Sequence, residues 1–190
     1  MPNWCSCDLK VVGQSELVAD FMTVMLRPAK EVYPRNKDAD AQLVFDFNAI
    51  LPCPDVLRDI VVGDVPYYPP TDSADKFGRG GPVPADVRAQ WIAAYGADNW
   101  YDWHIKHWDT KWNASDTKYE QPKPDTLVVH FETAWSPPSS VIAACAARWP
   151  GLKFTLDGYE RGMGYQDQKR WVKGKLVKTL REAYHGERGG

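Results

Sequence analysis

Thr126-Leu-Val-Val-His-Phe-Glu-Thr-Ala-Trp135 alternates as a half-buried strand should. Leu127, Val129, Phe131, Thr133 and Trp135 fall on one face, and Val128, His130 and Glu132 on the other. Pro137-Pro138 stops the strand, and Ser139 or Ser140 opens a helix through Arg148 with Val141, Ile142, Cys145 and Ala146 inward. After Pro150-Gly151, the alternating Leu152, Phe154 and Leu156 predict another strand. The unit is therefore strand, helix, strand.

The same pattern stands at the start of the chain. Cys7 to Gly13 reads as a strand with Leu9 and Val11 on one face. Ser15 then caps a helix to Arg27, whose apolar side is Leu17, Val18, Phe21, Met22, Met25 and Leu26. Residues 29–41 lack periodicity and read as a loop, and Leu43, Phe45 and Phe47 predict a second strand. Two such halves give a single α+β domain over 1–190 of the ferredoxin-like, split βαβ kind. Its antiparallel sheet carries two helices on one face. A long Trp-rich helical insertion, 49–124, falls between the second and third strands, and Trp171–Val177 forms a C-terminal hairpin about Lys173-Gly174.

Within the insertion, helices are expected over Pro84–Tyr95, with Val87, Trp91 and Ile92 on the apolar side, and over Asp98–His107. The stretch Asn99–Trp112 holds four of the nine tryptophans: Trp100, Trp103, Trp108 and Trp112. So much aromatic surface must be buried or bind something, and packing against the insertion's own helices is the default.

Composition narrows the function. A net charge of −2 over 190 residues provides no general attraction for phosphate. The four cysteines, at 5, 7, 53 and 145, form no Cys-x-x-Cys pair and read as free thiols in a reducing, cytoplasmic compartment. No apolar run approaches the roughly 20 residues that span a bilayer.

Four blocks carry a resemblance: Pro2-Asn-Trp-Cys-Ser6, Trp108-Asp-Thr-Lys-Trp112, Phe131-Glu-Thr-Ala-Trp-Ser-Pro-Pro138 and Tyr159-Glu-Arg-Gly-Met-Gly164. In this order they resemble the YubB family of plasmid and phage proteins. That resemblance implies a ferredoxin-like domain and a mobile-element origin, with no reaction to carry over. Two positions depart from the family pattern: Cys7 stands where Asn is usual, and Asp109 where Gly is usual. The second bears on the local turn, because Gly reaches φ > 0 freely and Asp does so only at some sites.

Catalytic signatures are weak. His104 and His107, with Asp102 and Asp109, have metal-ligand chemistry, but the Glu of a His-Glu-x-x-His motif is missing. Packed histidines are the more frequent outcome, so no metal and no cofactor are assigned. Cys5 and Cys7 lack a sequence-defined base; His130 would have to approach across the sheet. Alternation places Asp8, Lys10, Asp46, His130, Glu132, Lys153, Thr155 and Asp157 on the sheet face away from the helices, where solvation is the commoner fate. Gly78-Arg-Gly-Gly81 is no phosphate loop, since no Lys-Ser/Thr follows it.

The expectation is a binding protein with no chemistry of its own. Its partner would be a host protein or nucleoprotein complex, such as a CRISPR effector inhibited by a phage or plasmid accessory protein. The contact residues expected are Tyr67, Tyr68, Arg79, Trp100, Trp103, Trp108 and Trp112, because Tyr, Trp and Arg dominate interface energetics. The rivals are a single-stranded nucleic-acid binder and a metal-dependent enzyme using His104 and His107.

Overall fold

The computed structural model describes residues 3–32, 43–63, 66–68 and 80–188. Most of the expected 29–41 loop and all of Arg79 lie outside them. The chain divides into two compact units: Met1–Leu51 with Trp108–Gly190, and Pro52–His107.

The first unit is built on a six-stranded sheet. Its elements in chain order are β1 (Trp4–Val12), α1 (Ser15–Met25), β2 (Leu26–Pro28) and β3 (Leu43–Phe45), followed after the second unit by β4 (Ser115–Lys123), β5 (Thr126–Ala134), α5 (Ser139–Arg148), β6 (Lys153–Glu160), β7 (Tyr165–Val172) and β8 (Lys175–Ala183). The second unit contributes α2 (Asp55–Arg58), α3 (Ala85–Tyr95) and most of α4 (Trp100–Trp108).

The strand order is β4-β5-β1-β6-β7-β8, all neighbours antiparallel. The elements β1-α1-β4-β5-α5-β6 make the ferredoxin-like fold, and β7-β8 is the C-terminal hairpin. Lys173 and Gly174, at φ 51 and 75, make the tight turn that joins β7 to β8.

One strand assignment needs correcting. Leu43–Phe45 pairs with Leu26–Pro28 in a separate two-stranded sheet. The second ferredoxin strand is instead Ser115–Lys123, which lies inside the 49–124 span expected as the insertion. The chain therefore leaves the ferredoxin pattern after α1 and re-enters it at β4. Asp46 explains why the Leu43–Phe47 alternation stops short. Its carboxylate accepts from the Asn48 N–H at 3.0 Å and from the Asn113 side chain at 2.7 Å, turning the segment inward. Asp46 is buried and does not join the polar sheet face.

The core fills the helix side of the sheet. Leu9, Val11, Leu127, Val129, Phe154 and Leu156 are buried beneath Val18, Phe21 and Met25 of α1 and Val141, Ile142, Cys145 and Ala146 of α5. A run of ring contacts, edge-on except for the tilted Phe21–Phe45 pair, links Trp149, Phe21, Phe45, Phe47 and Trp108, at centroid distances of 5.2, 6.1, 5.7 and 5.6 Å.

In the second unit, α3 buries none of its residues and Ile92 is half exposed, so the apolar side expected for it is not a core face. Gly96 ends α3 at φ 77, and its N–H donates to the Ile92 carbonyl. The Asn99 side chain caps α4, accepting from the Asp102 N–H at 2.9 Å. No described helix is long and apolar enough to cross a membrane.

Candidate functional site

The residues singled out from sequence do not share one unit. Tyr67, Tyr68, Trp100 and Trp103 belong to the second unit, and Trp108 and Trp112 to the first. Tyr67 and Tyr68 are 40% and 41% exposed, and the Tyr68 ring meets Trp91 edge-on at 6.2 Å. Trp100 packs on Tyr101 and His104, and Trp103 is buried and stacked on His107 at 4.4 Å.

Trp108 is a core residue of the sheet unit. It is buried, edge-on to Phe47, and its indole N–H donates to the Leu51 carbonyl at 2.9 Å. The two histidines of the metal reading are both held within the second unit. His104 is buried against the Trp100 and Trp103 rings, and His107 sits 3.2 Å from the Tyr95 carbonyl. Among the described residues no group of three or more His, Cys, Asp or Glu is placed to hold a metal ion.

The thiols and His130 are on opposite sides of the sheet. Cys5 and Cys7 are buried on the helix side, with their sulfurs 4.0 Å apart, and burial together with the contact to Cys5 pushes the Cys7 thiol well up. His130 faces the other way and bonds to Asp8. The cysteine–histidine pairing weighed from sequence is therefore not formed.

A site does assemble where the four quoted blocks meet, at one end of the sheet. β5 ends at Ala134, and Trp135 takes φ 71, a left-handed backbone that is an outlier for so bulky a residue. Three neighbours fix it: its N–H donates to the Asn3 carbonyl at 2.9 Å, the Tyr165 hydroxyl donates to its carbonyl at 2.9 Å, and the buried Thr110 hydroxyl donates to the preceding Ala134 carbonyl at 2.8 Å.

Asp109 is left-handed as well, at φ 64, a conformation that Gly reaches freely and Asp only at some sites. It also does what Gly cannot. Its carboxylate accepts from the Ser140 N–H at 2.7 Å and so satisfies the first turn of α5, while its carbonyl accepts from Ser136 Oγ. On the adjoining turn, the fully buried Glu160 accepts from the Gly162 and Met163 N–H groups. A Cβ at Gly162 would come within 2.4 Å of the Asn3 side chain, so any larger residue there has to displace that side chain.

The product of this bracing is an aromatic ledge. Half-buried Trp112 lies 5.9 Å from half-buried Trp4, and the Lys111 ammonium stands 4.6 Å over the Trp112 ring and 5.6 Å from that of Trp135.

The second notable surface is the open face of the same sheet. Register places Lys118, His130, Asp8, Asp157 and Gln168 in one row across five strands. Its neighbour on one side carries Glu132, Ser6, Tyr159, Gln166 and Glu182, and that on the other Glu120, Val128, Lys10, Thr155, Arg170 and Lys178. The face thus carries two glutamates towards one end, and towards the other three basic side chains with Glu120 at the β4 edge. Hydrogen bonds cross it: Lys178 Nζ donates to Gln168 at 2.6 Å, and Gln168 to Asp157 at 2.8 Å. His130 Nδ1 donates to Asp8 at 2.6 Å, and Arg188 from the C-terminal tail engages both Asp8 oxygens. Partial burial raises the Asp8 carboxyl, but the bonds from Arg188 and His130 outweigh it and hold the group below its usual value.

Residues 107–187 match a family described as the ferredoxin-like domain in Api92-like protein. The match takes in β4 to β8, less than half of the chain, and leaves β1 and α1 outside. Among solved structures, the crystal structure of a protein api92 from Yersinia pseudotuberculosis aligns with a TM-score of 0.54 at 10% identity, covering 99% of this chain and 100% of that one. At that identity the likeness is one of fold. No curated protein matches the chain.

Two predictions follow from the geometry. At position 109, Asp→Asn keeps both the left-handed backbone and the cap, Asp→Gly keeps the first alone, and Asp→Ala keeps neither. Urea unfolding should rank them in that order, with Ala lower than the wild type by about 1–2 kcal/mol. For Asp8, a folded-state pKa below the unfolded one means that the contribution is present above the usual carboxylate value of 3.8 and is lost as pH falls through the lowered one. The stability difference between wild type and Asp8→Asn should therefore be fully present at neutral pH and shrink as pH falls through the usual carboxylate value and below it, and solvent screening keeps it below about 1 kcal/mol.

Proposed function

We propose that the protein works by binding a protein or nucleoprotein partner, without a chemical step of its own, and that the Trp4–Trp112–Trp135 ledge around Lys111 is its principal contact surface. One observation carries this reading. Trp135 is held in a left-handed backbone at a cost of order 1–3 kcal/mol, yet the residue is not fully buried and keeps part of its surface in solvent. A merely structural tryptophan would bury its ring in return. Strain kept in this way is a mark of a functional position. Part-buried indoles beside a cation are side chains of the kind that anchor interfaces.

The resemblance to plasmid and phage proteins of the YubB type supplies the partner class. In this reading the chain is a mobile-element accessory protein acting in the cytoplasm on host machinery, such as a CRISPR effector of a defence system. Four buried cysteines, none of them in a disulfide, suit that compartment. Tyr67 and Tyr68 offer a further aromatic contact on the second unit.

A competing reading comes from the same ledge, since stacked rings beside a lysine also suit single-stranded nucleic acid. The readings separate by experiment. Affinity capture from the natural host should recover a defined complex with wild type, and at least about tenfold less with Trp112→Ala, as for loss of an interface anchor. Recovery of nothing above background defeats the proposal. Oligonucleotide binding that quenches tryptophan fluorescence and weakens steeply with salt would replace it with the nucleic-acid reading.

A further inference from the structure

The open sheet face carries a second assembly, independent of the tryptophan ledge. Asp8 is held from one side by His130 Nδ1 at 2.6 Å. From the other, the Arg188 guanidinium approaches both carboxylate oxygens, with Nη2 to Oδ1 at 2.7 Å, while its plane lies 4.6 Å from the Tyr159 ring centroid. A two-oxygen acceptor, a hydrogen bond that fixes its orientation and an aromatic wall are the three elements that recognise a guanidinium in preference to an ammonium.

The chain uses the same chemistry once more, on the helix side of the sheet. There Arg181 makes two 2.5 Å bonds to buried Asp167 and lies 4.2 Å from the Tyr165 ring. The difference lies in the attachment. Arg181 is part of β8 and cannot leave without breaking the sheet, whereas Arg188 sits past the end of β8 on a tail exposed from His185 to Arg188.

Two hollows flank the box. One, of about 230 Å³, reaches Asp157 and Glu182 and favours a cation; the other, of about 110 Å³, reaches Glu132 and the Asp116–Lys118 ion pair. We propose that Asp8, His130 and Tyr159 form an arginine-recognition box for a basic peptide segment of a partner protein, and that Arg188 is a built-in pseudo-ligand that competes for it. The tail holds its arginine at a high effective concentration, so an incoming segment must displace it, and binding is weak until the tail is moved or outcompeted.

The test is an NMR titration of full-length protein with the blocked tripeptide acetyl-Gly-Arg-Gly-amide. With Arg188→Ala, shifts should localise to Asp8, His130 and Tyr159 and saturate, whereas wild type should need about tenfold more peptide to reach the same point. Adding Asp8→Asn to Arg188→Ala should abolish the response. Adding Tyr159→Leu should weaken it, which serves as the readout if the Asp8 change disturbs the sheet. The lysine analogue should bind more weakly than the arginine peptide. Equal titration of wild type and Arg188→Ala, no localised response in Arg188→Ala, or indifference to both box substitutions would overturn the proposal. None of these results bears on the tryptophan ledge, which is tested separately.

Discussion

Trp135 can hold a left-handed backbone only because its peptide groups have no freedom to relax. The Asn3 carbonyl accepts from its N–H, the Tyr165 hydroxyl donates to its carbonyl, and the Thr110 hydroxyl donates to the carbonyl of the residue before it. These partners come from segments far apart in the chain, so the strain is stored by the tertiary structure. The same junction sets the course of Asp109, caps α5 and brings Lys111 between two indoles. The aromatic ledge is a consequence of this bracing.

The sheet explains why one unit presents two different surfaces. Period-two alternation sends every second side chain of β1, β5 and β6 into the core under α1 and α5 and leaves the rest on an uncovered face. That face is polar because water or a partner must meet it. Arg188 is held at the middle row of that face, on Asp8, beside Tyr159 of the row that carries Glu132 and Glu182.

Much of this was legible in the sequence, and the exceptions have physical causes. Alternation located β1, β5 and β6, because central strands bury one face and write that fact into their residues. The edge strand β4 escaped for the converse reason: of its nine residues only Thr117 is buried, so Ser-Asp-Thr-Lys-Tyr-Glu-Gln-Pro-Lys has no pattern to read. Leu43–Phe47 had the pattern without the pairing, since Asp46 and Asn113 turn it away after three residues. The polar face was readable apart from Asp46, but Arg188 was not, because an exposed tail carries no periodicity. At the ledge, Asp109 in place of Gly was a visible hint of φ > 0, whereas Trp135 alternates so well with the strand before it that nothing betrayed its left-handed turn.

Whether Trp135 is a contact residue or internal mortar is therefore the decisive question, and replacing it by glycine answers it most directly. Glycine adopts φ 71 without strain, so if the indole exists for a partner, denaturant unfolding of Trp135→Gly should show a stability equal to or above that of wild type. A fall of about 3–5 kcal/mol, the cost of removing a fully buried tryptophan, would contradict the account.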